Sequence, residues 1–142
     1  MPKLAQAPLP HAGKVPESEK ITINLGFVDL GQIDLLVREG FYSNRSDFIR
    51  TAIRNQIERH AETVRQVVTR KSVHLGLRQI TRAELEAALA AGETLDLRVL
   101  GLAVMDADVT AELARATISG LTILGAFHAS ETIKAALADR LG

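Results

Sequence analysis

The chain has 142 residues, 46% of them apolar and 4% aromatic, with no Trp and no Cys. That length suits one average domain or two small ones, and the core must be built from Leu, Ile, Val and Ala. Without cysteine there are no disulfides, thiolate metal sites or thiol nucleophiles. No apolar run approaches a membrane span, and the proline-bearing start lacks the apolar core of a secretory signal, so a cytoplasmic location is expected.

The formal charge is zero, from 17 basic and 17 acidic residues, which argues against a polyanion partner. The average hides an asymmetry. Residues 1–71 hold 11 Lys/Arg against 8 Asp/Glu, whereas residues 72–142 hold 6 against 9. Such a division is a cue to a basic binding module tied to a different second domain.

Residues 1–19 contain all four prolines among Ala, Gly and Lys, and read as a flexible tail. Lys20–Leu25 then alternates polar and apolar. It predicts a strand with Ile21, Ile23 and Leu25 on one face and Lys20, Thr22 and Asn24 on the other. Asp29–Glu39 predicts a helix capped by Asp29, with Leu30, Ile33, Leu36 and Val37 on one stripe and Gly40 stopping it. A second helix is expected from Ser43–Asp47, where Asn44 and Asp47 resemble a capping box. Its stripe is Phe48, Ile49, Ala52, Ile53 and Ile57. The pattern continues weakly through Ala61, Val64 and Val68, so one helix is expected to reach about residue 70 as a connector.

The second half opens with an expected strand over Val73–Ile80. Thr81 caps a helix over Arg82–Ala91, with Glu84 completing a capping box and Gly92 ending it. Leu95, Leu97 and Val99 open a β-rich stretch. Within it Gly101–Ala107 aligns with Gly120–Ala126 at a spacing of 19, and Glu112, Arg115 and Ala116 align with Glu131, Lys134 and Ala135. A duplication, or one turn of a β-solenoid, would both look like this. Ser130 caps a last helix to about Leu141, with Ile133, Ala136 and Leu137 inward.

The first half sets a physical problem. One short strand followed by two helices has no partner within its own domain for its N–H and C=O groups. The simplest remedy is the same strand from a second chain, antiparallel across a two-fold axis. The result is a two-stranded ribbon on four helices, its polar side chains outward.

Residues 20–60 resemble the ribbon-helix-helix transcription regulators of the CopG, Arc and MetJ type. The resemblance rests on the strand Lys20–Leu25, on Ile33-Asp34-Leu35-Leu36-Val37 with Gly40, and on Tyr42-Ser43-Asn44-Arg45-Ser46-Asp47-Phe48-Ile49-Arg50. Gly26-Phe27-Val28 departs from the polar or proline-containing turn of many members. The resemblance implies a homodimer that places its ribbon in the DNA major groove. Lys20, Thr22 and Asn24 would then read bases: Asn24 adenine, Lys20 guanine, Thr22 a base edge or a thymine methyl. Ser43, Asn44, Arg45 and Ser46, at the start of the second helix, would hold a phosphate.

Arg50 and Arg54 are expected to be solvated or paired with Asp47 and Glu58. The histidines (His11, His60, His74 and His128) lack metal-ligand spacing, and no catalytic motif stands out, so no metal, no cofactor and no enzyme are expected. The fold class expected is α+β: a ribbon-helix-helix domain over 20–71 with its helical connector, and a small β-rich domain with helices over 72–142. The function expected is sequence-specific binding of double-stranded DNA by a transcription regulator, as a repressor. Residues 72–142 are expected to serve oligomerisation or regulation, with a higher oligomer formed through them under the first, and no membrane partner is expected. The alternative is an antitoxin binding DNA and a toxin protein.

Overall fold

The computed structural model describes residues 17–142, so the expectation of a flexible tail falls almost wholly outside the described residues. The chain divides into two compact units, one ending at Gln66 and the other running from Val67 to Gly142.

The first unit holds α1 (Phe27–Arg38), α2 (Arg45–Arg59) and the first half of α3 (Ala61–Lys71). Helix α1 begins two residues earlier than the sequence suggested. Gly26 is its N-cap and makes no side-chain cap bond, while Asp29 lies in the first turn, where a carboxylate favours the helix dipole instead of capping it. Its end is as expected. Gly40 has φ +87, and the N–H groups of Gly40 and Phe41 donate to the carbonyls of Val37 and Leu36 at 3.1 and 3.0 Å. This is a Schellman closure, which needs a left-handed residue at that point. Ile33 is buried, with Leu30, Leu36 and Val37 half-buried beside it.

Helix α2 does not run on to residue 70. It ends at His60, whose N–H donates to Ile57 at 2.9 Å, and α3 restarts when Val64 donates to the His60 carbonyl at 3.0 Å. A bond three residues back replaces the bond four residues back, which tightens the final turn and ends the helix. No proline or glycine marks the break.

Lys20–Leu25 is not a strand within one chain: residues 18–26 belong to no helix or strand. A strand exists only through its neighbour's hydrogen bonds, and none is supplied here among the described residues.

The second unit alternates strand and helix: β1 (His74–Ile80), α4 (Arg82–Ala91), β2 (Leu95–Met105), α5 (Ala111–Thr117), β3 (Ile118–His128) and α6 (Glu131–Ala136), then a 3-10 turn over Ala138–Arg140. All pairing in the sheet β1-β2-β3 is parallel. The unit is thus a βαβαβ arrangement, three strands alternating with three helices and more of its residues in strand than in helix. Ile80, Leu85, Leu97, Met105, Leu113, Ile118, Leu121, Ile133 and Leu137 belong to one core cluster between sheet and helices. Helix α4 packs against α5, and α5 against α6.

Caps set these helices, at Thr81 and Ser130 as the sequence suggested and at Thr110 in addition. Thr81, Thr110 and Ser130 each accept from the N–H three residues on, all at 3.2 Å. Gly92 closes α4 in the left-handed region. The last helix is shorter than expected, since α6 ends at Ala136, but Ile133 and Leu137 are buried.

The repeat is corrected. Gly101 pairs with Gly125, not with Gly120, and Gly120 stands opposite Asp96. Gly76 lies opposite Gly101 on the other side. The unit therefore has three copies of a strand carrying Leu-Gly-Leu, Leu-Gly-Leu and Leu-Gly-Ala at one register. The three glycines have φ between +118 and +139. A Cβ on Gly101 would lie 2.4 Å from the Gly76 carbonyl oxygen, and one on Gly125 would lie 2.0 Å from that of Gly101. Neighbouring backbones approach through this ladder in a way no other residue allows.

Candidate nucleic-acid interface

The site residues expected from the sequence lie in two places of the first unit. Lys20, Thr22 and Asn24 are exposed on the segment before α1. The alternating apolar residues between them are also exposed: Ile21 by 70%, Ile23 by 57% and Leu25 by 38%. Phe27, Val28, Leu35, Phe41, Ile53 and Ile57 of the same unit are exposed as well. Such a concentration in about fifty residues exceeds the scattered singles normal for a monomer.

The second place is the start of α2. Asn44 is the N-cap, and its Oδ1 accepts from the Asp47 N–H at 2.8 Å. The Asp47 carboxylate reaches back to accept from the Ser43 N–H at 2.9 Å. This is the reciprocal capping expected, with the return bond falling one residue earlier than in the usual box. The resident carboxylate occupies part of the positive end of the helix. The hydroxyls of Ser43 and Ser46 and the amide of Asn44 remain exposed around it. Tyr42 packs edge-on against Phe48, ring centroids 5.0 Å apart at 81°, and anchors the turn from within.

Arg45 is engaged elsewhere. Its Nε and Nη2 donate to Oδ1 and Oδ2 of Asp34, each at 2.8 Å, in a two-pronged bridge from α2 to α1. The pair fixes the angle of the turn that presents Ser43–Ser46. Hydrogen bonding to Arg45 holds the Asp34 carboxyl below its ordinary range, opposed by partial desolvation and aided by the charges of Arg45 and Arg38. The same bonds raise the Arg45 guanidinium above its usual value. Sequence reasoning missed this bridge, because its partners stand 11 positions apart on different helices. Arg50 and Arg54 make no salt bridge among the described residues, so of the two expectations for them solvation is the one seen. No cluster of metal-ligating side chains occurs among the described residues.

Residues 16–134 match the model of the ribbon-helix-helix transcriptional regulator family. The chain belongs to this family. The match spans both units, so the parallel βαβαβ unit lies within the matched region along with the helices. No curated protein and no solved structure matches the chain. No described helix is long and apolar enough to cross a membrane.

Proposed function

We propose that this ribbon-helix-helix regulator is a homodimer in which Lys20–Leu25 of two chains form an antiparallel ribbon that reads the major groove of double-stranded DNA and represses transcription. The observation that carries the reading is the state of that segment. It alternates polar and apolar residues, has no place in any helix or strand of its own chain, and exposes Ile21, Ile23 and Leu25. Pairing with a second copy satisfies its backbone and covers its apolar side in one step.

In this arrangement Lys20, Thr22 and Asn24 stand outward as donors and acceptors for base edges. The start of α2 takes a backbone phosphate with the hydroxyls of Ser43 and Ser46 and the Asn44 amide. Such contacts set register and affinity while the ribbon sets sequence preference. Arg45 acts as a positioning residue through Asp34, holding the turn at its angle. The folded second unit weighs against the antitoxin reading, in which the C-terminal half would order on a toxin.

The test is selection of bound fragments from genomic DNA at stated salt. The expected result is enrichment of a two-fold symmetric motif, with affinity falling steeply as salt rises. Recovery of fragments without a shared motif, or binding indifferent to salt, overturns the reading.

A further inference from the structure

The second unit buries only one side of its sheet. Along β2 burial alternates, with Leu97, Val99, Ala103 and Met105 buried toward the helices. The other side carries two apolar rows set by the register: Leu75, Leu100 and Leu124, then Leu77, Leu102 and Ala126. Leu75 and Leu77 are each 60% exposed and Leu124 is 63% exposed. No charged residue stands in either row, although the chain is 24% charged.

The sheet edges, by contrast, are blunted. On the outer edge of β1, the Leu77 carbonyl lies 2.8 Å from His74 Nε2, and the Gln79 carbonyl accepts from Arg78 at 2.6 Å. On the outer edge of β3, Leu121 bridges to Leu141, and the Gly142 N–H donates to the Leu121 carbonyl at 2.9 Å. Edges whose acceptors are already taken are poor templates for adding strands. Two acceptors on the outer edge of β1 and one on that of β3 are thus occupied, which hinders strand addition there, and the leucine rows remain uncovered.

We propose that the leucine face of the sheet packs against the same face of a second copy of this chain. The area decides for a copy. The rows expose on the order of 500 Å² of apolar surface, near the upper limit tolerated on a monomer. Two such faces together bury on the order of 1,000 Å², the threshold of a specific interface. The rows are uncharged, so they offer nothing to a charged or polar partner. A flat row of leucines across a two-fold axis is complementary to itself. This contact uses no residue of the segment 20–25, so it stands or falls apart from the ribbon.

The natural absence of cysteine supplies the experiment. Leu124→Cys is made in the full chain, with Leu89→Cys as the comparison, since Leu89 is 52% exposed on α4. The expected result is that a thiol reagent labels Leu124→Cys at least ten-fold more slowly than Leu89→Cys at micromolar protein. Dilution should abolish that protection. Mild oxidation should link Leu102→Cys, in the middle strand of the same face, into disulfide-joined pairs of chains. Equal labelling of the two thiols overturns the proposal, because the face is then uncovered. Protection that persists on dilution without linked pairs also overturns it, because the occupant is then not a second copy. Adding Leu75→Glu to Leu124→Cys restores fast labelling if the face is covered as proposed. Selection of DNA fragments by the same variants reports on the ribbon separately.

Discussion

Alanine at the glycine ladder separates two costs that usually come together. Gly76, Gly101 and Gly125 share a backbone conformation with φ above +100, so each carries the same kind of penalty for a side chain. That penalty is about 1–3 kcal/mol. Their surroundings differ. A Cβ at Gly76 meets nothing within 4 Å, whereas at Gly101 it meets the Gly76 carbonyl oxygen at 2.4 Å. Ordinary contact starts about an ångström further out, and the obstacle is backbone, so β1 and β2 must move apart. Losing roughly two ladder hydrogen bonds adds about 2 kcal/mol. Gly76→Ala should thus cost about 1–3 kcal/mol and Gly101→Ala about 3–5 kcal/mol. A unit of this size has an urea m-value on the order of 1 kcal/mol/M, so their midpoints should differ by about 2 M. Far-UV circular dichroism during urea unfolding measures this, and hydrogen exchange at the amides of Leu100 and Leu102 assigns it to β2. Equal midpoints for the two variants would refute the close approach of the strands as the reason for glycine.

Asn24→Ala should lower discrimination between specific and mismatched DNA by about 1–3 kcal/mol while leaving non-specific affinity nearly unchanged, as read by competition binding at fixed salt. Asp34→Ala should weaken binding to all sequences alike, because it frees the turn rather than a base contact, and Arg45→Ala should do the same; a loss confined to one base position would contradict the positioning role. Hydrogen bonding to Arg78, aided by its charge and by the Thr81 N–H, holds the Glu84 carboxyl below its ordinary range against partial desolvation. Glu84 therefore contributes stability that is present above its unfolded value near 4.5 and lost as pH falls through the lower folded value. Arg78→Ala should cost about 1 kcal/mol at neutral pH and flatten the acid limb of the stability curve. Sedimentation of the full chain at micromolar concentration should show a dimer or a multiple of it, and a folded monomer would remove the ribbon.

What the sequence made legible is what local chemistry controls. The caps Asn44, Thr81 and Ser130 and the stops Gly40 and Gly92 act within four residues of themselves, so their effects can be read directly along the chain. The Arg45–Asp34 bridge could not be read that way, because it depends on the angle between two helices. The repeat was misaligned for a related reason. Thr110 lies nine residues after Gly101, but Ser130 lies only five after Gly125. An alignment that matched the helices near Glu112 and Glu131 was forced to slip the strands onto Gly120. Register belongs to the sheet, and β3 starts directly where α5 ends, without a turn signal. The break at His60 has no breaker residue, so nothing local announced it.

The segment 20–25 and the leucine rows pose the same physical question at two scales. In each, the sequence places apolar residues at strand spacing and the single chain leaves them exposed. For the segment, the missing component is a backbone partner, so its remedy must extend a hydrogen-bond ladder. For the rows, each strand already pairs with its neighbour in the sheet, so the remedy must cover a face. On the two proposals, a second copy would meet both needs, through different surfaces and different forces. Ladder pairing is directional and fixes one register, which suits a ribbon that must present Lys20, Thr22 and Asn24 in a defined pattern to base pairs. Face packing is non-directional and scales with area, which suits a contact that raises local concentration without setting sequence preference. Variants in the rows should therefore change how much protein gathers on a site, whereas variants at the polar positions of 20–24 should change which site is chosen.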